Sequence, residues 1–166
     1  GSYLIIHGYS PAGGHATTPA GVRAYRASAA GELLKTFDLI SGNSVKGVAA
    51  APFGEGFAVA WTRFDSLDPI LEVVALSGEG TVEMLKSVPL PRECWEVTVP
   101  ALSCAEGRCL VVWGSCDEET PGAFVLLGLM LSETEPQVGE PVLLAQPFRS
   151  SSPLRGAAKG GRHLLV

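Results

Sequence analysis

The stretch Gly107-Arg108-Cys109-Leu110-Val111-Val112-Trp113 joins a glycine to a run of apolar residues that ends in a large aromatic ring. A short apolar run bounded by turn residues is typical of a strand that is buried on both faces. Similar stretches occur at residues 1–7, 56–61 and 161–166, with His7 in the place of the ring in the first copy. The pattern predicts an internal repeat built around a buried strand.

The copies lie at nearly constant distances along the chain. Aligned on Tyr3, Phe57, Cys109 and His163, they are separated by 54, 52 and 54 residues. Length alone gives no reason to divide the 166 residues into several domains. The sequence therefore predicts one domain, residues 1–166, with repeats at about 1–54, 55–106 and 107–160, and with 161–166 as the start of a fourth.

Each repeat contains three further strand-like stretches. The first of them ends in a serine, at Ser28, Ser77 and Ser132. The other two lie at 33–39, 82–88 and 141–145 and at 45–51, 97–103 and 153–158. Gly31 and Gly80 follow two of the serines, where a tight turn needs a positive φ. No segment keeps apolar residues at helical spacing over three turns, so an all-β fold is predicted.

Four strands in a repeat of about 50 residues are typical of one blade of a β-propeller, which is a twisted antiparallel sheet. The fold prediction is therefore a partial β-propeller of four-stranded antiparallel blades. Counted this way the chain holds thirteen strands, which make three blades and one further strand. A closed propeller needs at least four blades. The remaining blades would come from another polypeptide or from a second copy of the chain, or the sequence is a fragment of a longer propeller protein.

The glycine, the Leu-Val-Val run and the tryptophan of residues 107–113, with the strand ending in Ser132, resemble the blade repeat of bacterial extracellular β-propeller-like proteins. The resemblance implies the propeller architecture and a location outside the cytoplasm. It implies no particular activity, because propellers include lectins, enzymes and scaffolds.

All four cysteines lie close together, at Cys94, Cys104, Cys109 and Cys116. Cys104 and Cys109 flank residues 105–108, interpreted as a four-residue turn, so they would face each other across two strands within disulfide reach. In the same register Cys94 and Cys116 lie at the other end of the hairpin. Two nested structural disulfides are predicted, with a zinc site and free thiols as the alternatives. Disulfides form in oxidising compartments, so we expect a secreted or cell-envelope protein.

The charge of the chain limits its partners. The formal net charge is −5, and no clustered basic face of the kind that binds nucleic acid or an anionic membrane is evident. No apolar run approaches the ~20 residues of a membrane-spanning helix. We therefore expect neither a nucleic-acid partner nor a membrane span.

Sequence motifs for catalysis are weak. His7-Gly8-Tyr9-Ser10 resembles a hydrolase loop, but Pro11 follows where a nucleophile elbow needs a helix. Asp65, Asp68 and the run 117–119 are acidic, but they lack the spacing of a calcium motif. No catalytic residue, cofactor or metal is predicted. We expect a non-catalytic extracellular scaffold or interaction module, with a lectin-like propeller or part of a propeller enzyme as alternatives.

Overall fold

The chain is built from β-strands in this computed structural model, which describes residues 2–9, 21–41, 44–65, 68–91, 99–117, 120, 123–134, 139–148, 156–159 and 162–165. No helix occurs in these ranges, and hence none that is long and apolar enough to cross a membrane. The all-β prediction is confirmed.

Thirteen strands occur within the described ranges, close to the stretches predicted from the repeat. They are β1 (Ser2–Tyr9), β2 (Gly21–Ser28), β3 (Leu33–Ser41), β4 (Ser44–Phe53), β5 (Gly56–Asp65), β6 (Asp68–Leu76), β7 (Val82–Pro89), β8 (Ala101–Ala105), β9 (Arg108–Cys116), β10 (Phe124–Ser132), β11 (Val142–Phe148), β12 (Gly156–Lys159) and β13 (Arg162–Leu165). The strands extend beyond the tryptophans that end the apolar runs, because β5 pairs with β6 as far as Asp65 and β9 pairs with β10 as far as Cys116.

The strands form antiparallel sheets of neighbours in sequence. The first sheet has the order β1-β2-β3, the second β4-β5-β6-β7 and the third β11-β10-β9-β8, while β12 and β13 pair with each other. Each sheet is offset by one strand from the repeat as divided above. The last strand of one repeat joins the first three strands of the next repeat in one sheet.

The serines that end β2 and β6 stabilise equivalent turns. The backbone N–H of Gly31 donates to Ser28 O and that of Gly80 donates to Ser77 O, both at 2.9 Å. Each serine Oγ also accepts hydrogen bonds from the backbone N–H groups two and four residues farther on. Gly31 and Gly80 have φ values of 84° and 82°, a region that glycine enters without steric cost. The serine and glycine markers of the repeat therefore specify one turn geometry.

A tighter turn joins β8 to β9. Ala105 pairs with Arg108, which leaves Glu106 and Gly107 as a two-residue loop with φ values of 51° and 70°. Positive φ at both loop residues is the requirement of a type I′ hairpin turn, whose twist matches that of the flanking strands. The turn fixes the register that places Cys104 opposite Cys109, as the sequence predicts.

The sheets pack face to face around two cores. Val59 and Trp61 of β5 pack with Val22 of the first sheet. Ala58 and Ala60, on the opposite face of β5, pack with residues of the third sheet. The second sheet is thus covered on both faces, because alternate residues of a strand point to opposite sides.

The core between the second and third sheets contains Trp113, whose side chain is fully buried. Its indole Nε1 has no hydrogen-bond partner. A buried N–H without a partner costs free energy that the packing of the ring must offset.

We expect Trp113→Ala to lower the free energy of unfolding by about 3–5 kcal/mol, since it leaves a large cavity in this core. Trp113→Phe should cost much less, because it keeps a large ring and removes the unpaired N–H. Urea unfolding of both variants measures the difference. Leu143→Ala, at a side chain that is 58% exposed, is the control. Equal losses for Phe and Ala would contradict this account of the core.

Candidate functional site

One exposed feature of the first sheet is the face turned away from the second sheet. We define the outer face as Tyr3, Ile5 and His7 of β1 with Arg23 and Tyr25 of β2. Cross-strand pairing places His7 beside Arg23 and Ile5 beside Tyr25. Tyr3 and Ile5 are 62% and 56% exposed. Large apolar side chains that lie together in solvent are typical of a surface that contacts a partner.

The opposite face of the same sheet is its packed side. Leu4 and Ile6 lie between the outer-face residues along β1 and pack into the core against the second sheet. At the margin of this interface Arg26 Nη1 lies 2.8 Å from Glu79 Oε1, and Lys35 donates a hydrogen bond to the Glu79 carbonyl oxygen. These contacts fix which side of the first sheet is free.

A charged group forms one end of the outer face. Arg23 donates hydrogen bonds from Nε to Asp38 Oδ1 at 2.7 Å and from Nη2 to Oδ2 at 3.3 Å. Its guanidinium also lies over the ring of Tyr9, 5.2 Å from the centroid, at cation–π distance. The hydrogen bonds from Arg23 hold the pKa of Asp38 below its ordinary value. The end of the outer face therefore carries a paired rather than an isolated charge.

A buried ion pair lies between the first and second sheets. Arg63 Nε on β5 lies 2.8 Å from Glu72 Oε1 on β6, and the two side chains are only 16% and 9% exposed. The antiparallel register brings these two residues together although they are nine positions apart in the sequence. At the surface, Glu140 Oε1 lies 3.5 Å from Lys86 Nζ.

Two cavities open between the second and third sheets. One, of about 590 Å³, is lined by Leu90 and Pro91 after β7 and by Trp113 and Leu127 of the third sheet. The other, of about 440 Å³, lies at the opposite ends of the strands and is lined by Glu55, Glu83 and Glu133, among others. No group of three or more His, Cys, Asp or Glu side chains in the described ranges is arranged to hold a metal ion.

The cysteines of the described ranges are all oxidised. Cys104 and Cys109 form a disulfide across the β8–β9 hairpin, with their Cα atoms 4.0 Å apart. Cys116 is also disulfide-bonded. Cys94 lies outside the described residues, so the Cys94–Cys116 pairing remains a prediction.

The other residues singled out in the sequence do not form a common site in the described ranges. His7 lies exposed on the outer face, whereas Ser10 lies outside the described residues. Asp117 follows β9, and Glu118 and Glu119 lie outside the described residues. The outer face itself was missed, because its residues alternate with packed residues and the sequence does not reveal which face is covered.

The ion pairs of Arg23 and Arg26 lead to a prediction about the pKa of the carboxyl group in each pair. Arg23→Gln should raise the pKa of Asp38 toward its ordinary value, because the hydrogen bonds that lower it are lost. Arg26→Gln should do the same for Glu79, whose pKa is lowered by its hydrogen bond from Arg26. Carboxyl-carbon NMR titration of both variants measures each group, and each variant is the control for the other.

The sign of the effect on stability follows from the lowered pKa. The contribution of the Asp38 pair is present above the pKa of Asp in the unfolded chain and is lost as the pH falls through the lower value of the folded state. An unchanged Asp38 midpoint in Arg23→Gln would contradict the proposed cause.

The buried pair predicts strong coupling between its partners. Arg63→Met should lower the free energy of unfolding by about 3–5 kcal/mol, because it leaves the Glu72 carboxylate buried without its charged partner. Adding Glu72→Leu should restore most of that loss. Lys86→Met, in the exposed pair with Glu140, is the matched control and should have little effect. Additive losses in a double-mutant cycle of Arg63 and Glu72 would disprove the coupling.

Comparison with known proteins adds no functional assignment. No protein-family model matches the chain, and no curated protein matches it.

Proposed function

We propose that the chain is a section of an extracellular β-propeller that serves as a non-catalytic scaffold for interactions with other macromolecules. In this proposal the second and third sheets are two complete blades. The first sheet and the β12–β13 pair belong to the neighbouring blades on either side.

The observation that carries the proposal is that the second sheet is covered on both faces, by the first sheet on one side and by the third sheet on the other. Val59 and Trp61 face one neighbour, and Ala58 and Ala60 face the other. Stacking in which every sheet buries two faces is the packing rule of repeat architectures, in which each unit contacts only its neighbours. Successive four-stranded antiparallel sheets stacked in this way are the building plan of a propeller.

The proposed role in interactions is supported by the exposed outer face of the first sheet and not by a group of catalytic residues. Tyr3 and Ile5 are two residues apart on β1 and lie exposed on the same face of the first sheet. Such a surface suits a contact with another macromolecule. The extracellular location is supported by the disulfide between Cys104 and Cys109, since structural disulfides persist in oxidising compartments.

Electron microscopy of the protein as its natural host produces it tests the architecture. We expect a closed ring of radially arranged sheets around a central channel. An open, elongated stack or a two-layer sandwich would contradict the proposal.

The location is tested separately by the redox state of the cysteines. Alkylation of the denatured, non-reduced protein from the same source should modify none of the four cysteines. Four modified thiols would contradict an extracellular location.

A further inference from the structure

We propose that the larger cavity between the second and third sheets, of about 590 Å³, binds a small apolar molecule that accepts a hydrogen bond from the indole Nε1 of Trp113. The inference goes beyond the proposed function, because it assigns a small-molecule ligand to the protein. Both walls of the cavity belong to this chain, so the inference does not depend on whether the sheets close into a ring.

The walls of the cavity suit a largely apolar ligand. Residues 88–91, at the end of β7 and just after it, form one wall, and side chains of β9, β10 and β11 contribute to the other. Most of the lining residues are aliphatic, aromatic or proline. Small-molecule sites typically have volumes of about 300–1,000 Å³ and predominantly apolar walls with a few polar groups. The cavity matches this description in both size and lining.

The cavity has a closed end and a mouth. Trp113 lines it although the side chain is fully buried, so the indole lies at the closed end. Leu143 also lines it and is 58% exposed, so this side chain lies at the mouth. A molecule that enters past Leu143 and reaches Trp113 would lose most of its contact with water, as small ligands do in their sites.

The closed end supplies an unused hydrogen-bond donor. Trp113 Nε1 is buried and has no hydrogen-bond partner among the described residues. An indole N–H can donate a hydrogen bond but cannot accept one. In surroundings of low dielectric such a hydrogen bond is stronger than it is in water. The site therefore favours an apolar molecule with an acceptor, such as a ketone or amide oxygen.

The wall after β7 adds no competing backbone donor at residues 89–91. Pro89 and Pro91 have no N–H. The N–H of Leu90 donates to the carbonyl oxygen of Pro69 at 3.0 Å and is therefore already engaged. This part of the wall offers apolar contacts, and the indole N–H of Trp113 is the group that would fix the orientation of the ligand.

The equivalent tryptophan of the preceding repeat provides a matched control. Trp61 is 2% exposed, and its Nε1 likewise has no partner in the described part of the chain. It packs between the first and second sheets and is not a lining residue of this cavity. The two indoles share burial and an unpaired N–H, but they differ in their contact with the cavity. Replacing Trp113 should therefore affect binding, whereas the same change at Trp61 should not.

Fluorescence titration with prodan tests the inference. Prodan is an apolar naphthalene with one ketone oxygen, and its emission shifts to shorter wavelength when it leaves water. We expect saturable binding to the wild type and about two- to tenfold weaker binding to Trp113→Phe, which is the effect of losing one hydrogen bond between neutral groups. Trp61→Phe should bind prodan as the wild type does.

A second probe isolates the hydrogen bond from the shape of the cavity. Dimethylaminonaphthalene has the same ring system as prodan but no ketone oxygen. It should bind equally to the wild type and to Trp113→Phe, because it cannot accept the hydrogen bond in either protein. Urea unfolding of each variant establishes that it is folded before its binding is compared.

A pair of charged substitutions locates the probe. Leu143→Asp should weaken the binding of both probes, because a carboxylate at the mouth would lose water when the ligand covers it. Leu33→Asp is the control, since Leu33 is 63% exposed but lies on β3 of the first sheet. It should leave the binding of both probes unchanged.

Four results would overturn the inference. They are the absence of saturable binding of prodan to the wild type, equal affinity of prodan for the wild type and Trp113→Phe, an equal loss of both probes in Trp113→Phe, and equal weakening by Leu143→Asp and Leu33→Asp.

Discussion

The constraint on which the structure depends is that the central strand of the second sheet is apolar on both faces. Ala58 and Ala60 point to one side of β5 and Val59 and Trp61 to the other, and all four are almost inaccessible to solvent. A single sheet cannot bury both of its own faces, so it is stable only between two others. The stacking of three sheets and the division of the core into two clusters both follow from this requirement.

The sequence predicted the parts of the fold that depend on local geometry. The spacing of the repeats and the serines at Ser28 and Ser77 identified the strands, because each marker has a local role in a turn. The pairing of Cys104 with Cys109 was also predictable, since a two-residue hairpin loop fixes the register by itself. Central strands that are apolar on both faces predicted that neighbouring sheets stack on each other. They do not determine whether the stack closes into a ring.

The parts that could not be predicted depend on which face of a strand is covered. The contact between Glu72 and Arg63 arises only in the register of the folded hairpin, which the sequence pattern does not reveal. Ile5 and Val59 look equivalent in the sequence, yet one is exposed and the other is buried. Exposure at these positions is a property of the neighbouring sheet rather than of the strand.

The sheets are each made from one continuous stretch of chain, with strands that follow one another in order. Tight turns, such as the one at Glu106 and Gly107, bring several pairs of adjacent strands together. Contacts between residues close in sequence carry a small entropic cost of closure and form rapidly. A growing chain can thus complete one sheet before the next has been synthesised. Each new sheet then finds the exposed face of its predecessor already in place, so assembly can proceed in the direction of synthesis.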